Sequence, residues 1–267
     1  MSVELAPRRL ILSLFGLYAR PEGNWLSVAT LITLMSDLGV DSAAVRSSVS
    51  RLKKRGVLEA VRRGGQAGYA LSDDALAILR EGDARIWSRP RATPSDGWLV
   101  VLFSVPEAER EKRHVLRSLL ARLGFGTAAP GVWVAPGTLY QETLAALSRE
   151  GLASYTEFFR GDYLGVGEVA ARVGEWWDLD AVAKLYSEFD AAYRPVLRLR
   201  TPSPDAAFTT YVPMLTEWRR LPYLDPGLPL AHLSGDWPGI AAGEVFAELD
   251  DRLRERSAEH ARPVVHD

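Results

Sequence analysis

Residues Arg89-Pro-Arg-Ala-Thr-Pro-Ser-Asp-Gly97 hold two prolines, a glycine and no large apolar side chain. Neither a helix nor a central strand passes through such a stretch, because proline lacks the amide proton and fixes φ. Apolar patterning resumes on both sides, so the chain must build more than one core, and its 267 residues suffice for two or three domains. We expect a domain over residues 1–88, a linker over 89–97, a second domain over 98–166 and a third over 167–267.

Charge follows the same division. Residues 1–93 carry 14 Lys and Arg against 9 Asp and Glu, while residues 94–267 carry 18 against 25, so a net charge of −2 conceals one basic end. Between Ser42 and Leu71 stand Arg46, Arg51, Lys53, Lys54, Arg55, Arg62 and Arg63 against a single acid, Glu59. A charge run is often no more than a solvated face. Concentrated on one segment of a near-neutral protein, it points instead to a polyanion site.

The geometry of that segment is readable. Leu10, Ile11, Leu14 and Leu17 follow helical spacing after Pro7, and Pro21-Glu-Gly-Asn24 reads as a loop. A second helix starts after an N-cap at Ser27, buries Leu31, Leu34, Met35 and Leu38, and stops at Gly39. A third runs from Asp41 or Ser42 to Arg55, with Gly56 to end it. At about 100° per residue, Val45, Val49 and Leu52 form its buried stripe. Arg46, Ser47, Ser50, Lys53 and Lys54 project from the other side, with Arg51 on the flank. Two short strands, residues 57–62 and 67–71, then enclose Arg63-Gly-Gly-Gln66 as a hairpin with Arg62 and Arg63 at its tip. This order is that of an N-terminal winged helix-turn-helix, whose third helix enters the major groove of double-stranded DNA and whose wing touches backbone. Arg46, Ser47, Ser50 and Arg51 are the expected base-reading residues, and Lys53, Lys54, Arg62 and Arg63 the expected phosphate contacts.

A further helix is expected from Ser72 to about Trp87. Beyond the linker, a strand over 98–105, a helix over 107–123, strands near 124–127 and over 132–135, a helix over 139–150 and a strand over 154–159 give the order βαββαβ, a ferredoxin-like middle domain. The C-terminal third reads as mostly helical and rich in aromatics at helical spacing. A proline-rich packed loop precedes a last helix, roughly 240–254, and a charged tail holding His260 and His266. The fold class expected is therefore α+β and multidomain.

Much chemistry is excluded. There is no cysteine, and His114, His232, His260 and His266 lack metal-ligand spacing, so we expect neither a metal site nor a cofactor. The longest apolar run, Trp98–Pro106, falls far short of the roughly 18 residues of a membrane span. Arg8-Arg9 before Leu10–Phe15 imitates a secretory signal, but no small-residue cleavage site follows; the expected location is cytoplasmic. Gly161-Asp-Tyr-Leu-Gly-Val-Gly167 lacks the order of a nucleotide-binding loop, and neither G-x-S-x-G nor a P-loop occurs. Glu107, Glu109 and Glu111 sit at a helix start, where the macrodipole favours acids. We expect no enzyme activity.

Several strings resemble the PaaX family of bacterial transcriptional repressors of phenylacetate degradation. These are Arg9-Leu-Ile-Leu-Ser-Leu-Phe-Gly16, Val45-Arg-Ser-Ser-Val-Ser-Arg-Leu52, Gly56-Val-Leu-Glu59, Gly124-Phe-Gly126 with Val132-Trp-Val134, and above all Asp225-Pro-Gly-Leu-Pro229 and Asp236-Trp-Pro-Gly239. The wing, with Gly64-Gly-Gln-Ala-Gly68, departs from the more basic wing common in that family. The resemblance implies a homodimer joined through the middle domain, a C-terminal domain peculiar to the family, and repression of an aromatic catabolic pathway relieved by an aryl-acyl-coenzyme A effector such as phenylacetyl-coenzyme A. No effector residue is assigned; Trp176, Trp177, Trp218 and Arg219 could face an acyl group or simply pack in a core. A regulator of the same family serving another pathway, with a different acyl-coenzyme A or another effector, is the first alternative, and two other functions compete. The middle domain also resembles a small CRISPR-associated nuclease, but the strand end Phe103-Ser-Val-Pro106 offers no carboxylate for its metal. An architectural DNA-binding protein, or an activator without a small ligand, is the other.

Overall fold

Capping chemistry sets the first elements. Pro7, placed where a missing amide proton costs nothing, opens α1 (Pro7–Leu14), which passes into one π-helical turn, Phe15–Ala19. A two-residue strand β1 (Leu26–Ser27) ends at a true N-cap, since Ser27 Oγ accepts from the Thr30 amide at 2.9 Å, and α2 (Val28–Asp37) begins there. Gly39, at φ 76°, stops it. Asp41 Oδ1 accepts from the amides of Ala43 and Ala44 and starts α3 (Ser42–Lys54), with Gly56 at φ 68° beyond its end. Then come β2 (Leu58–Arg63), β3 (Gln66–Leu71) and α4 (Asp73–Trp87).

The remaining elements are β4 (Trp98–Phe103), α5 (Arg110–Arg122), β5 (Gly126–Ala129), β6 (Val132–Pro136), α6 (Tyr140–Arg149), β7 (Thr156–Gly161), α7 (Val169–Trp176), α8 (Leu179–Tyr193), α9 (Pro204–Trp218), α10 (Leu221–Leu224) and α11 (Pro238–His266). The computed structural model describes residues 5–87, 90–165, 167–200 and 202–266. It is an α+β structure with two antiparallel sheets among the described residues. Several expected ranges shift, among them the strand near 124–127, found at 126–129, and the strand over 98–105, which ends at Phe103. The helix read over 107–123 starts as a 3₁₀ turn at Glu107–Glu109, and the strand read over 154–159 lies at 156–161. No helix is expected over 169–176, yet α7 forms there.

By packing, the residues fall into two compact units that do not follow chain order: Met1–Ala84 with Phe189–Arg219 and Gly243–Asp267, and Arg85–Glu188 with Arg220–Ala242. In the first unit, the sheet order is β1-β3-β2. Its core takes Leu10, Ile11, Leu14 and Phe15 from the first helix, Leu31, Leu34 and Met35 from α2, and Val45, Val49 and Leu52 from α3. Phe208 and Val212 of α9 and Ala261 of α11 complete the same core. Buried polar atoms are matched across this seam: Ser13 Oγ meets Thr216 Oγ1 at 2.7 Å, and Tyr18 OH meets Ser257 Oγ at 2.6 Å.

α11 corrects an expectation. The sequence reads as a helix ending near Arg254 with a frayed tail, but the helix continues to His266. Leu249, Leu253, Ser257 and Ala261, four residues apart, are all buried, so the stripe runs on through a serine and an alanine that carry little hydrophobic signal. His260 reaches Asp37 at 2.9 Å and lies beside the Phe208 ring. Both histidines assigned to a tail are thus helical.

In the second unit the sheet order is β5-β6-β4-β7, every neighbour antiparallel. Strand alternation divides β4: Leu99 and Val101 pack on α5 and α6, while Trp98 and Val100 turn to the opposite face with Val134, Val173 and Trp177. Among the described residues, no helix is long and apolar enough to cross a membrane.

Phe208→Ala, which empties a fully buried ring site shared by α9 and the N-terminal helices, should cost about 3–5 kcal/mol in chemical denaturation. A loss no greater than that of the half-exposed Ile78→Ala would remove α9 from that core.

Candidate nucleic-acid interface

Burial of one stripe of α3 decides what the other side shows. Val45, Ser48, Val49 and Leu52 are buried, and Arg46, Ser47, Ser50, Arg51, Lys53 and Lys54 are all exposed. The six expected α3 residues therefore share the uncovered side of one helix. Among the described residues, none of Arg46, Arg51, Lys53, Lys54, Arg62 and Arg63 makes an ion pair, although arginines elsewhere do so repeatedly, as in Arg20–Asp83, Arg85–Glu142 and Arg91–Asp225. Arg51 Nη2 donates to the buried Ser48 Oγ at 3.4 Å, a contact that the sequence pattern did not suggest.

The hairpin is closed by Arg63↔Gln66 pairing around Gly64 and Gly65, both at positive φ (57° and 84°), which is the backbone a tight two-residue turn of right-handed twist requires. Arg62 and Arg63 are exposed at this tip. Arg62 Nη2 donates to the Gly65 carbonyl at 2.9 Å. Lys53 brings α3 and the hairpin together, its ammonium 5.9 Å from the Tyr69 ring centre. An open groove of about 460 Å³ lies beside these elements, between the start of α2, Gln66 and Ala67 of β3, and Val264.

The aromatics left open by the sequence divide between the units. Trp177 is buried, donates from Nε1 to the Gly124 carbonyl at 2.9 Å and packs with Trp98; the half-buried Trp176 meets Trp98 and Tyr163 edge-on. Gly126 is glycine because a β-carbon there would stand 2.6 Å from the Trp177 ring. Trp218 stacks on Phe246 at 4.4 Å, and Arg219 donates to the Arg9 carbonyl at 3.0 Å. Glu109 accepts from Tyr155 OH at 2.5 Å and from Lys112 at 3.1 Å, and these hydrogen bonds, the tyrosine's first, hold its carboxyl below the usual range. Among the described residues, no group of three or more His, Asp or Glu is placed to hold a metal ion.

The two C-terminal strings converge in the second unit. Buried Asp225 accepts from both Arg91 Nη atoms, from Tyr186 OH at 3.1 Å and from the Gly227 amide at 2.7 Å. Arg91 in turn donates to the Leu228 carbonyl and stands 5.7 Å from the Trp237 ring, which meets Tyr186 edge-on. Gly239 leaves room for that indole, whose Nε1 would lie 2.5 Å from a β-carbon. Asp225-Pro-Gly-Leu-Pro229 and Asp236-Trp-Pro-Gly239 are thus two walls of one buried charge site.

A basic helix free of acids thus stands beside a basic-tipped hairpin. Three family models match in succession: "PaaX-like protein" over residues 6–75, "PaaX protein central Cas2-like domain" over 91–173 and "PaaX-like protein C-terminal domain" over 177–263. The chain belongs to the PaaX family. It is similar to the transcriptional repressor PaaX of Escherichia coli K12, with 26% identity over 94% of this chain and 82% of the relative. Its fold is similar to that of an uncharacterized protein from Mycobacterium tuberculosis, with a TM-score of 0.58 and 22% identity over 96% of this chain and 99% of the other.

Removing one member of a buried, hydrogen-bonded charge pair strands the other, so Asp225→Ala should cost about 3–5 kcal/mol in denaturation. Arg172→Ala, which breaks the exposed Arg172–Glu175 pair, should cost far less. Equal small losses would mean that Asp225 organises nothing.

Proposed function

We propose that the chain is a DNA-binding transcriptional repressor. The observation that carries this reading is the set of exposed α3 and hairpin cations that make no ion pair among the described residues. Cations that neutralise no internal charge remain free to displace counterions from a phosphate backbone. The relative from Escherichia coli, itself a transcriptional repressor, supports the same reading.

In this proposal the N-terminal segment acts as a winged helix-turn-helix. α3 lies in the major groove, where Arg46 and Arg51 take guanine edges and Ser47 and Ser50 take either base type. Lys53, Lys54, Arg62 and Arg63 hold phosphates. The βαββαβ order, with sheet order β5-β6-β4-β7, supports a ferredoxin-like central domain. That domain joins two copies, so that paired α3 helices read a pseudo-palindromic operator in the cytoplasm. The effector is an aryl-acyl-coenzyme A of the phenylacetyl type, acting on an aromatic catabolic pathway. It releases DNA only by binding the non-DNA-binding state more tightly, since equal affinity for both states shifts nothing.

Gel shifts on the promoter flanking the chain's own gene, at fixed salt with excess random competitor, test this. A specific complex lost with phenylacetyl-coenzyme A but not with phenylacetate is expected, and absence of any specific complex would refute repression by DNA binding. Arg46→Ala should cost about 1–3 kcal/mol on the operator and relax base preference. Lys54→Ala should weaken operator and random DNA alike and lower the salt slope by about one. Equal losses on both DNAs for Arg46→Ala would take away its base-reading role.

A further inference from the structure

The segment ahead of β1 is fastened to the hairpin along its length. Among the described residues Asn24 is the non-glycine at positive φ, 61°. Its side-chain amide donates to the Leu71 carbonyl at 2.9 Å and accepts from the Leu71 amide at 3.3 Å, closing the base of the hairpin as a strand residue would. Halfway along, Trp25 Nε1 donates to the Val61 carbonyl at 3.0 Å. The indole crosses the ladder at Gly68, where a β-carbon would stand 2.5 Å from Trp25 Cε2 and Cζ2 and 2.4 Å from the Leu26 carbonyl oxygen. Toward the tip, the Arg63 guanidinium lies 5.9 Å from the same indole and its Nη1 passes close over Gly23.

We infer that Trp25 is a positioning residue that orders the hairpin cations for contact with DNA phosphates. A two-stranded ribbon is marginal on its own, and an arginine held in no fixed place loses rotamer freedom when it meets a phosphate. Trp25 addresses both costs at once: its N–H and ring fix the ladder, and its face pre-orders Arg63, while Arg62 is fixed on Gly65. Gly68 serves this by leaving the indole room. The inference rests on the DNA-binding reading above.

The test uses the full chain, titrated onto operator and random duplex at several salt concentrations. The variants are Trp25→Leu, which keeps apolar bulk without a π face or donor, Trp25→Phe, Arg63→Ala and the Trp25→Leu/Arg63→Ala pair. Lys54→Ala, alone and combined with Trp25→Leu, is the control. Trp25→Leu should weaken both DNAs about two- to five-fold and lower the salt slope, with Trp25→Phe between it and wild type. In the Arg63→Ala background the Trp25→Leu effect should shrink to the part carried by the ladder alone, whereas with Lys54→Ala it should add in full. An undiminished Trp25→Leu loss in the Arg63→Ala background would overturn the inference, as would unchanged affinity and slope in Trp25→Leu. Wild-type protein that shows no salt-dependent binding to either duplex would overturn the DNA-binding reading itself.

Discussion

Phe208, Val212 and Ala261 occupy the same core as Ile11, Leu14 and Phe15, and the presentation of α3 depends on that shared burial. Three short helices and a small sheet enclose little apolar surface by themselves. Residues from α9 and α11 supply the missing side, and Ser13–Thr216 and Tyr18–Ser257 hydrogen bonds keep the seam free of stranded polar groups. With Val45, Val49 and Leu52 committed to this core, the rotation of α3 about its axis is fixed. Its cations then have one direction left to point, outward.

What was legible in the sequence was local. An N-cap, a positive-φ glycine or a 3.6-residue stripe is decided by a few neighbouring residues, so Ser27, Asp41, Gly39, Gly56 and the α3 stripe could be placed from their own surroundings. The Gly64-Gly65 turn was similarly readable, because two consecutive positive-φ positions almost demand glycine. The strand at β4 was legible as an unbroken apolar run because both of its faces meet apolar partners.

The rest depended on partners far away in the chain. Arg85 sits in the helix expected from Ser72 to about Trp87, and it is buried and donates to the Pro222 and Leu123 carbonyls and to Glu142. Nothing within its own helix announces those acceptors. The end of α11 was lost for the complementary reason: Ser257 and Ala261 are buried by what faces them and not by their own hydrophobicity. Trp25, next to a loop of turn residues, gave no periodic signal at all. Its role needs Val61, Gly68 and Arg63 to be brought beside it by hairpin pairing.

The same contrast between committed and uncommitted side chains separates the two arginines proposed to read bases. Arg51 is tethered to its own helix through Ser48, one of the residues that α3 buries. Reaching a base edge means giving up that hydrogen bond, or using it to hold one side of the guanidinium while the other engages DNA. Arg46 makes no side-chain hydrogen bond or ion pair among the described residues, so its fork meets a guanine without first breaking an internal contact. Ser47 and Ser50 flank it on the exposed side, and in the proposed complex their small volume would let the helix axis approach the groove floor, within reach of a bidentate contact. In the proposed DNA-binding role, base discrimination on α3 would therefore concentrate at Arg46, with Arg51 restricted by its tether to a narrower set of geometries.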